Sequence, residues 1–562
     1  MAQNSPIHPR PDPKMTVTPE IPRSSEAGIG LKRHIGLGGL LLATLASMIG
    51  SGWLFGPLYA ARLAGPSAII AWLIGGSMFM LLGLVYSELG ALFPVSGGVV
   101  RFPHYAFGPA ASYIVGWIVY LGAVTFPAIE VEAALQYASN YLPALTHVSG
   151  GVQVLTAQGY AVAALLMVSF TVINLWGVRA FARANNAIMA FKLFVMVSML
   201  IAFLAIGFGA DKLTDFGGFA PHGVGGILSA VATGGVAFSF TGFQQPVALS
   251  GEVRSPGRNI ARAILLGLLI TTVLYCLIEL AFLGAVPAGA LRNGWGHLAF
   301  ANDFGPLAGV ATMLGLGWVA ALLYVDAVIS PLDCGLNWSV MTSRISYGMA
   351  RNGTIPAVLG RVSGRGVPWV SVLVGSGVGL VLFLPFPGWQ TFVGFITSAA
   401  VLSYGTGPLA HAALRRQLPD RVRGFRTSFG DLVPFVAFYA GNLIVVWTGW
   451  QTIEKLLVAI AVGIVIFAVQ RLTQRTTGSD LHWKAAAWII PWLGGLAAIS
   501  ALSTFGGRSV IPFGFSFLAI FVLSLVIYVL AVRLRLPTAS MPPADTGTDE
   551  RAVKPSEHGP AL

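Results

Sequence analysis

Long apolar runs, broken by short polar connections, dominate the chain and predict about fourteen membrane-crossing helices near 35–63, 67–92, 109–142, 158–177, 187–209, 226–250, 260–285, 306–345, 368–387, 390–413, 431–448, 451–470, 485–503 and 511–532. Each holds roughly 20 residues, enough to span the hydrocarbon core. Two of these runs are irregular at mid-depth. The first contains Ala46-Ser47-Met48-Ile49-Gly50-Ser51-Gly52-Trp53 and ends its polar interruption at Phe55-Gly56-Pro57. The sixth contains Gly234-Gly235-Val236-Ala237-Phe238-Ser239-Phe240-Thr241-Gly242-Phe243-Gln244-Gln245-Pro246. Small residues of this kind serve close helix–helix packing. They also mark unwound backbone, which a membrane tolerates only where it is buried in protein or lines a polar cavity. Two such breaks at corresponding places of consecutive five-helix units point to the second reading, a substrate site between two inverted repeats. The expected organisation is therefore a tail over 1–34, a first repeat over 35–225, a second over 226–426, accessory helices over 427–535 and a second tail over 536–562. Both tails are polar and read as disordered.

Composition narrows the class. With 55% hydrophobic and 10% charged residues the chain lies outside soluble proteins, and its continuous apolar runs are not the alternating pattern of a β-barrel. The net charge of +12 sits in short loops rather than in a nucleic-acid-binding patch. Lys32 and Arg33 precede the first span, and Arg101 and His104, Arg179 and Arg183, Arg254 with Arg258 and Arg262, Arg344 to Arg365, and Arg415 to Arg426 follow every second span. The positive-inside rule then places both termini in the cytoplasm of a multi-pass protein of the cell membrane. Cys276 and Cys334 lie within apolar runs, which gives no disulfide scaffold. No cluster of His, Cys and acidic residues carries metal-ligand spacing and no glycine-rich phosphate cradle appears, so neither an enzyme nor an ATP-driven pump is expected, nor any cofactor.

Four stretches carry a resemblance. Ile49-Gly50-Ser51-Gly52 with Phe55-Gly56-Pro57, Tyr86-Ser87-Glu88-Leu89-Gly90 through Ser96-Gly97-Gly98, Phe240-Thr241-Gly242 leading to Gly251-Glu252-Val253-Arg254, and Tyr347-Gly348-Met349-Ala350-Arg351-Asn352-Gly353 with Pro356 resemble signatures of the amino acid–polyamine–organocation transporter superfamily. Within it, Gly52-Trp53-Leu54-Phe55, Arg101-Phe102-Pro103, Ile129-Glu130-Val131 and Leu314-Gly315-Leu316-Gly317-Trp318 with Asp326 and Pro331 are similar to bacterial aspartate–proton symporters. The resemblance implies an all-α, LeuT-like 5+5 inverted repeat working by alternating access, with the proton as coupling ion and an amino acid, L-aspartate or L-glutamate, as substrate. An exchanger of the same fold with a neutral or other substrate is the alternative. Two departures stand out: Arg262 replaces a common proline, and Gln244 stands where arginine exchangers carry glutamate.

Charges within spans are costly and become functional candidates. By the resemblance Lys192 in the fifth span is the proton-coupling group, and a desolvated lysine releases its proton readily. A permanent structural ion pair is the competing role. Asp326 in the eighth span is the expected partner. Glu130 in the third span faces either the substrate or buried structure, while Glu88, Glu279 and Asp333 are weaker candidates. Arg101 is the best basic residue for an acidic substrate or a gate. For the ligand itself, amides near Ile49, Gly50, Ser51 and Gly52 beside Ser47 would receive an α-carboxylate at a half-helix N-terminus. Carbonyls around Phe238, Ser239, Phe240, Thr241 and Gly242 would receive the ammonium, and Thr397, Ser398 and Ser403 would line the far side.

Overall fold

The computed structural model describes residues 34–149, 152–176, 178–298, 300, 305–383, 389–474 and 481–542. Residues 1–33 and 543–562, most of the two expected tails, lie outside the described residues. The structure is built almost wholly of helices. In chain order these are α1 (Leu37–Met48), α2 (Gly52–Ala64), α3 (Ala68–Leu92), α4 (Gly98–Ala138), α5 (Ala157–Trp176), α6 (Val178–Ala202), α7 (Gly223–Thr233), α8 (Val236–Phe240), α9 (Gln245–Ala248) and α10 (Pro256–Ala285). The second part comprises α11 (Pro306–Met313), α12 (Gly317–Arg351), α13 (Trp369–Val381), α14 (Trp389–Gln417), α15 (Leu432–Trp447), α16 (Trp450–Gln474), α17 (Trp483–Ala486), α18 (Ile489–Leu502) and α19 (Phe513–Leu534). A short antiparallel hairpin, β1 (Thr146–Ser149) with β2 (Val152–Leu155), joins α4 to α5.

Ten helical segments among the described residues are long and apolar enough to cross a bilayer, α2 and α3 counting as one continuous run. Four shorter apolar helices, α1, α7, α13 and α15, occupy expected spans. The shortness of α1 and α7 has a local cause: they stop at the two glycine-rich breaks. The protein is thus a polytopic helical membrane protein.

Three expected boundaries move. The connection holding Arg101 and His104 is helical and forms the first turns of α4; the discontinuity falls instead at Gly108, whose φ of 83° ends one helix and starts the next. The long eighth run divides into α11 and α12 at Gly315, also at positive φ (73°). The second tail does not start at 536, because the Leu536 amide donates to the Ala106 carbonyl at 3.0 Å and the Thr538 hydroxyl to the Gln417 carbonyl at 3.1 Å.

Helices α4 and α12 pack along each other through the centre, with α1 and α6 against α12, and α3 against α10. At the arginine-rich end, the strand-like residue Ile35 bridges Val253, and the His34 and Ile35 amides both donate to the Glu252 carbonyl, at 2.9 and 3.0 Å. Glu252 also accepts from Arg344 Nε at 3.2 Å, both side chains being buried. The entry to α1, the segment after α9 and the end of α12 are tied there at one point.

Candidate functional site

The break in α1–α2 exposes carbonyls at one helix end and amides at the other, and the protein pairs most of them with side chains from distant elements. The Ser47 carbonyl accepts from Trp338 Nε1 at 3.0 Å and from the Cys334 thiol at 3.4 Å. The Met48 carbonyl accepts from the Tyr275 hydroxyl at 3.0 Å. On the other side, the Ser51 amide donates to Glu130 Oε2 at 2.7 Å. The second carboxylate oxygen, Oε1, is buried without a hydrogen bond among the described residues. Ser51 Oγ accepts from Trp389 Nε1 at 2.7 Å.

The second break completes the other wall. Gly235 (φ 91°) starts α8 and Gly242 (φ 101°) follows its end, both in backbone that favours glycine. A Cβ on Gly242 would lie 2.4 Å from the Ser47 carbonyl oxygen, and one on Gly52 would lie 2.3 Å from Ser239 Oγ. Ser47 Oγ donates to the Gly242 carbonyl at 3.3 Å. The two breaks therefore touch backbone to backbone, and glycine at each contact is what permits it.

Aromatic rings close the remaining sides. Phe126 stacks on Trp338 at 3.6 Å and on Phe238 at 5.3 Å, and Trp389 meets Phe238 edge-on at 5.7 Å. Trp389 further packs on Phe55 at 4.7 Å and on Tyr59 at 5.5 Å. Phe240 turns the other way, into a cluster with Trp72, Phe79 and Tyr275. Phe238, by contrast, lies in the column with Trp389. The Thr241 hydroxyl donates to the Phe238 carbonyl within its own turn. Ser398 donates to Thr448 at 2.7 Å and Ser403 to the Ala400 carbonyl at 2.6 Å, while the Thr397 hydroxyl is buried without a partner among the described residues.

The intramembrane charges need one correction. Lys192 Nζ is paired with Asp333, not with Asp326: it lies 3.0 Å from Asp333 Oδ2 and 3.2 Å from the Ser330 carbonyl. Both side chains are fully buried. The Asp326 carboxylate, about two helical turns away along α12, makes no hydrogen bond among the described residues. Asn337 extends the pair's surroundings by donating to Asn185 at 2.8 Å, linking α12 to α6 again. Arg101 is buried and donates to the Tyr105 hydroxyl at 2.7 Å. Glu88 sits in a basic knot, accepting from Arg415 at 2.6 Å and from the Thr427 amide at 2.7 Å, with Arg423 at 3.2 Å; it fastens α3 to the end of α14. Glu279 accepts from Trp72 Nε1 at 2.9 Å. Among the described residues no group of three or more His, Cys, Asp and Glu side chains is arranged to hold a metal.

Sequence reasoning missed Trp389, Trp338, Phe126, Tyr275 and Cys334. Phe126, Tyr275, Cys334 and Trp338 are apolar or weakly polar residues inside apolar runs and Trp389 lies between two of them, so only the long-range hydrogen bonds and stacking identify them. The available signal was the presence of indole N–H groups in spans, since a buried indole needs an acceptor.

Irregular backbone at the heart of a polytopic helical bundle, lined by glycines and paired from neighbouring helices, defines the class as a membrane permease. The amino acid permease family model matches residues 35–409. The chain is 34% identical over 509 residues to the glutamate/serine transporter AimA of Bacillus subtilis (strain 168), covering 90% of this chain and 94% of the relative. It is 33% identical over 517 residues to the aspartate-proton symporter of the same organism, covering 91% and 98%. A branched-chain amino acid permease, BcaP, is 26% identical over 455 residues, covering 78% and 92%. The chain belongs to the amino acid permease family and is a multi-pass membrane protein of amino acid transport.

Proposed function

We propose that the protein is a proton-coupled symporter of an acidic amino acid, L-aspartate or L-glutamate, working by alternating access between two five-helix repeats with both termini cytoplasmic. The observation that carries the reading is the contact between two helix breaks at expected repeat positions, where α1–α2 and α7–α9 leave amides, carbonyls and an aromatic column around one point. The names of two relatives, a glutamate/serine transporter and an aspartate-proton symporter, support the substrate class.

In this reading the positive end of α2 attracts the substrate α-carboxylate, which competes with Glu130 for the Ser51 amide. Protonation of Glu130 weakens its hold on that amide and admits the substrate, so Glu130 stands between proton and ligand. Carbonyls after α8 receive the ammonium. Trp389 and Phe238 close one side, and the Glu252–Arg344 tie closes the arginine-rich side. The Lys192–Asp333 pair joins α6 to α12 beside α1; transfer of a proton to Asp333 would release Lys192 and free the helices to move. A second reading, an exchanger in which Lys192 acts as a fixed charge, is favoured by that same short, fully buried pair.

Counterflow into proteoliposomes loaded with unlabelled amino acid tests the substrate class. Labelled aspartate or glutamate should accumulate transiently against internal aspartate, and alanine, leucine and arginine should compete weakly. Equal competition by leucine would overturn the acidic specificity. Glu130→Gln should keep counterflow and flatten its pH dependence. Trp389→Phe removes the 2.7 Å bond to Ser51 while keeping a ring in the column. It should raise KM about fivefold, as expected for one hydrogen bond of about 1 kcal/mol, with little change in maximal rate.

A further inference from the structure

A cavity of about 470 Å³ lies between the ends of α14, α15 and α19, and none of its lining residues belongs to the two breaks. Its size falls in the ~300–1,000 Å³ range of sites that hold a small molecule. Phe435, Leu525 and Val529 form an apolar trough, and Arg416, Asp431 and Arg533 form the rim. Leu525 and Val529 are 44% and 40% exposed, so the trough opens outward from the bundle.

The rim is charged in a defined way. Arg416 spans both Asp431 oxygens, one at 3.2 Å, and that pair is neutral as a unit. Arg533, in the last turn of α19, is exposed and has no ion pair or hydrogen bond among the described residues. One net positive charge therefore stands over an apolar channel. The rim belongs to the end of the molecule that also carries Arg415, Arg421, Arg423, Arg426 and Arg535. The positive-inside rule puts this end at the cytoplasmic leaflet, where the anionic lipids are.

We propose that this cavity is a binding site for an anionic glycerophospholipid, its phosphate on Arg533 and one acyl chain along Phe435, Leu525 and Val529. The chemistry selects this occupant. A soluble anion would leave the apolar trough wet, and a zwitterionic headgroup would bring a second cation beside Arg533. The site joins the last helix to the end of α14, whose other residues hold Glu88, so an occupying lipid braces the accessory helices against the bundle.

Native mass spectrometry of the purified full chain, with phosphatidylglycerol or phosphatidylcholine of identical acyl chains, tests the site. Phosphatidylglycerol should be retained in preference. Arg533→Gln should lower its retention about fivefold, the contribution of one basic side chain at an anionic surface. Arg365→Gln, which removes an exposed loop arginine, should leave retention unchanged, and Val529→Trp, which fills the trough, should reduce it. Equal retention of the two lipids overturns the proposal. So does a preference for phosphatidylglycerol that Arg533→Gln and Arg365→Gln alter equally.

Discussion

Lys192→Met should abolish accumulation driven by an inward proton gradient, and it should also destabilise the protein. The substitution leaves the Asp333 carboxylate buried with its cation removed, since Lys192 supplies the 3.0 Å contact. Breaking one side of a buried pair costs about 3–5 kcal/mol, enough to reduce the yield of folded protein. The double variant Lys192→Met/Asp333→Asn separates the two effects, because neutralising both partners removes the stranded charge. Its thermal stability in detergent should return most of the way to the parent's. Gradient-driven uptake should remain absent while counterflow persists. Restored gradient-driven uptake in the double variant would remove Lys192 and Asp333 from the coupling step.

Gly50→Ala should inactivate transport in a protein that still folds. A Cβ at position 50 would lie 2.4 Å from Glu130 Oε1, 2.7 Å from Cys334 Sγ and 2.8 Å from Cys334 Cβ. The Glu130 carboxylate can yield only by giving up its 2.7 Å bond to the Ser51 amide. Cys334 Cβ, part of the α12 framework, leaves the methyl group no room, so the break itself must shift and with it the Ser51 amide offered to the substrate; overpacking of this kind costs about 1–3 kcal/mol, and substrate affinity should fall by about tenfold or more. Gly38→Ala, in the adjoining helix α1, is the control: nothing lies within 4 Å of the added methyl group. It should transport normally. Uptake by Gly50→Ala within twofold of the parent would show that the break does not form the ligand site.

Much of this centre is legible in the sequence because glycine, serine and proline at mid-span depth are chemically conspicuous. The breaks at Ile49-Gly50-Ser51 and around Gly234-Gly235 and Thr241-Gly242 fall where those clusters predict them. Their mutual contact is not written in either cluster; it appears only when Gly52 meets Ser239 and Gly242 meets Ser47. The Lys192 partner shows a specific limit. Asp326 and Asp333 are seven residues apart on α12, close to two full turns, and so share one face. Periodicity cannot choose between them, because they differ only in depth, by roughly 10 Å along the axis. Arg101 misleads for a related reason: it falls in the connection between two expected spans, yet it sits within the first turns of α4, and only Gly108 interrupts the helix. Trp389 stands between two expected spans, where no pattern of hydrophobic positions assigns it a side.

The most direct test of proton-coupled acidic amino acid transport is uptake of radiolabelled L-aspartate into proteoliposomes holding the purified protein, with and without an inward proton gradient. Accumulation above the external concentration that requires the gradient, and collapses when a protonophore dissipates it, is the result the account predicts. Uptake that occurs only against internal amino acid and ignores the gradient would contradict it and leave the exchanger.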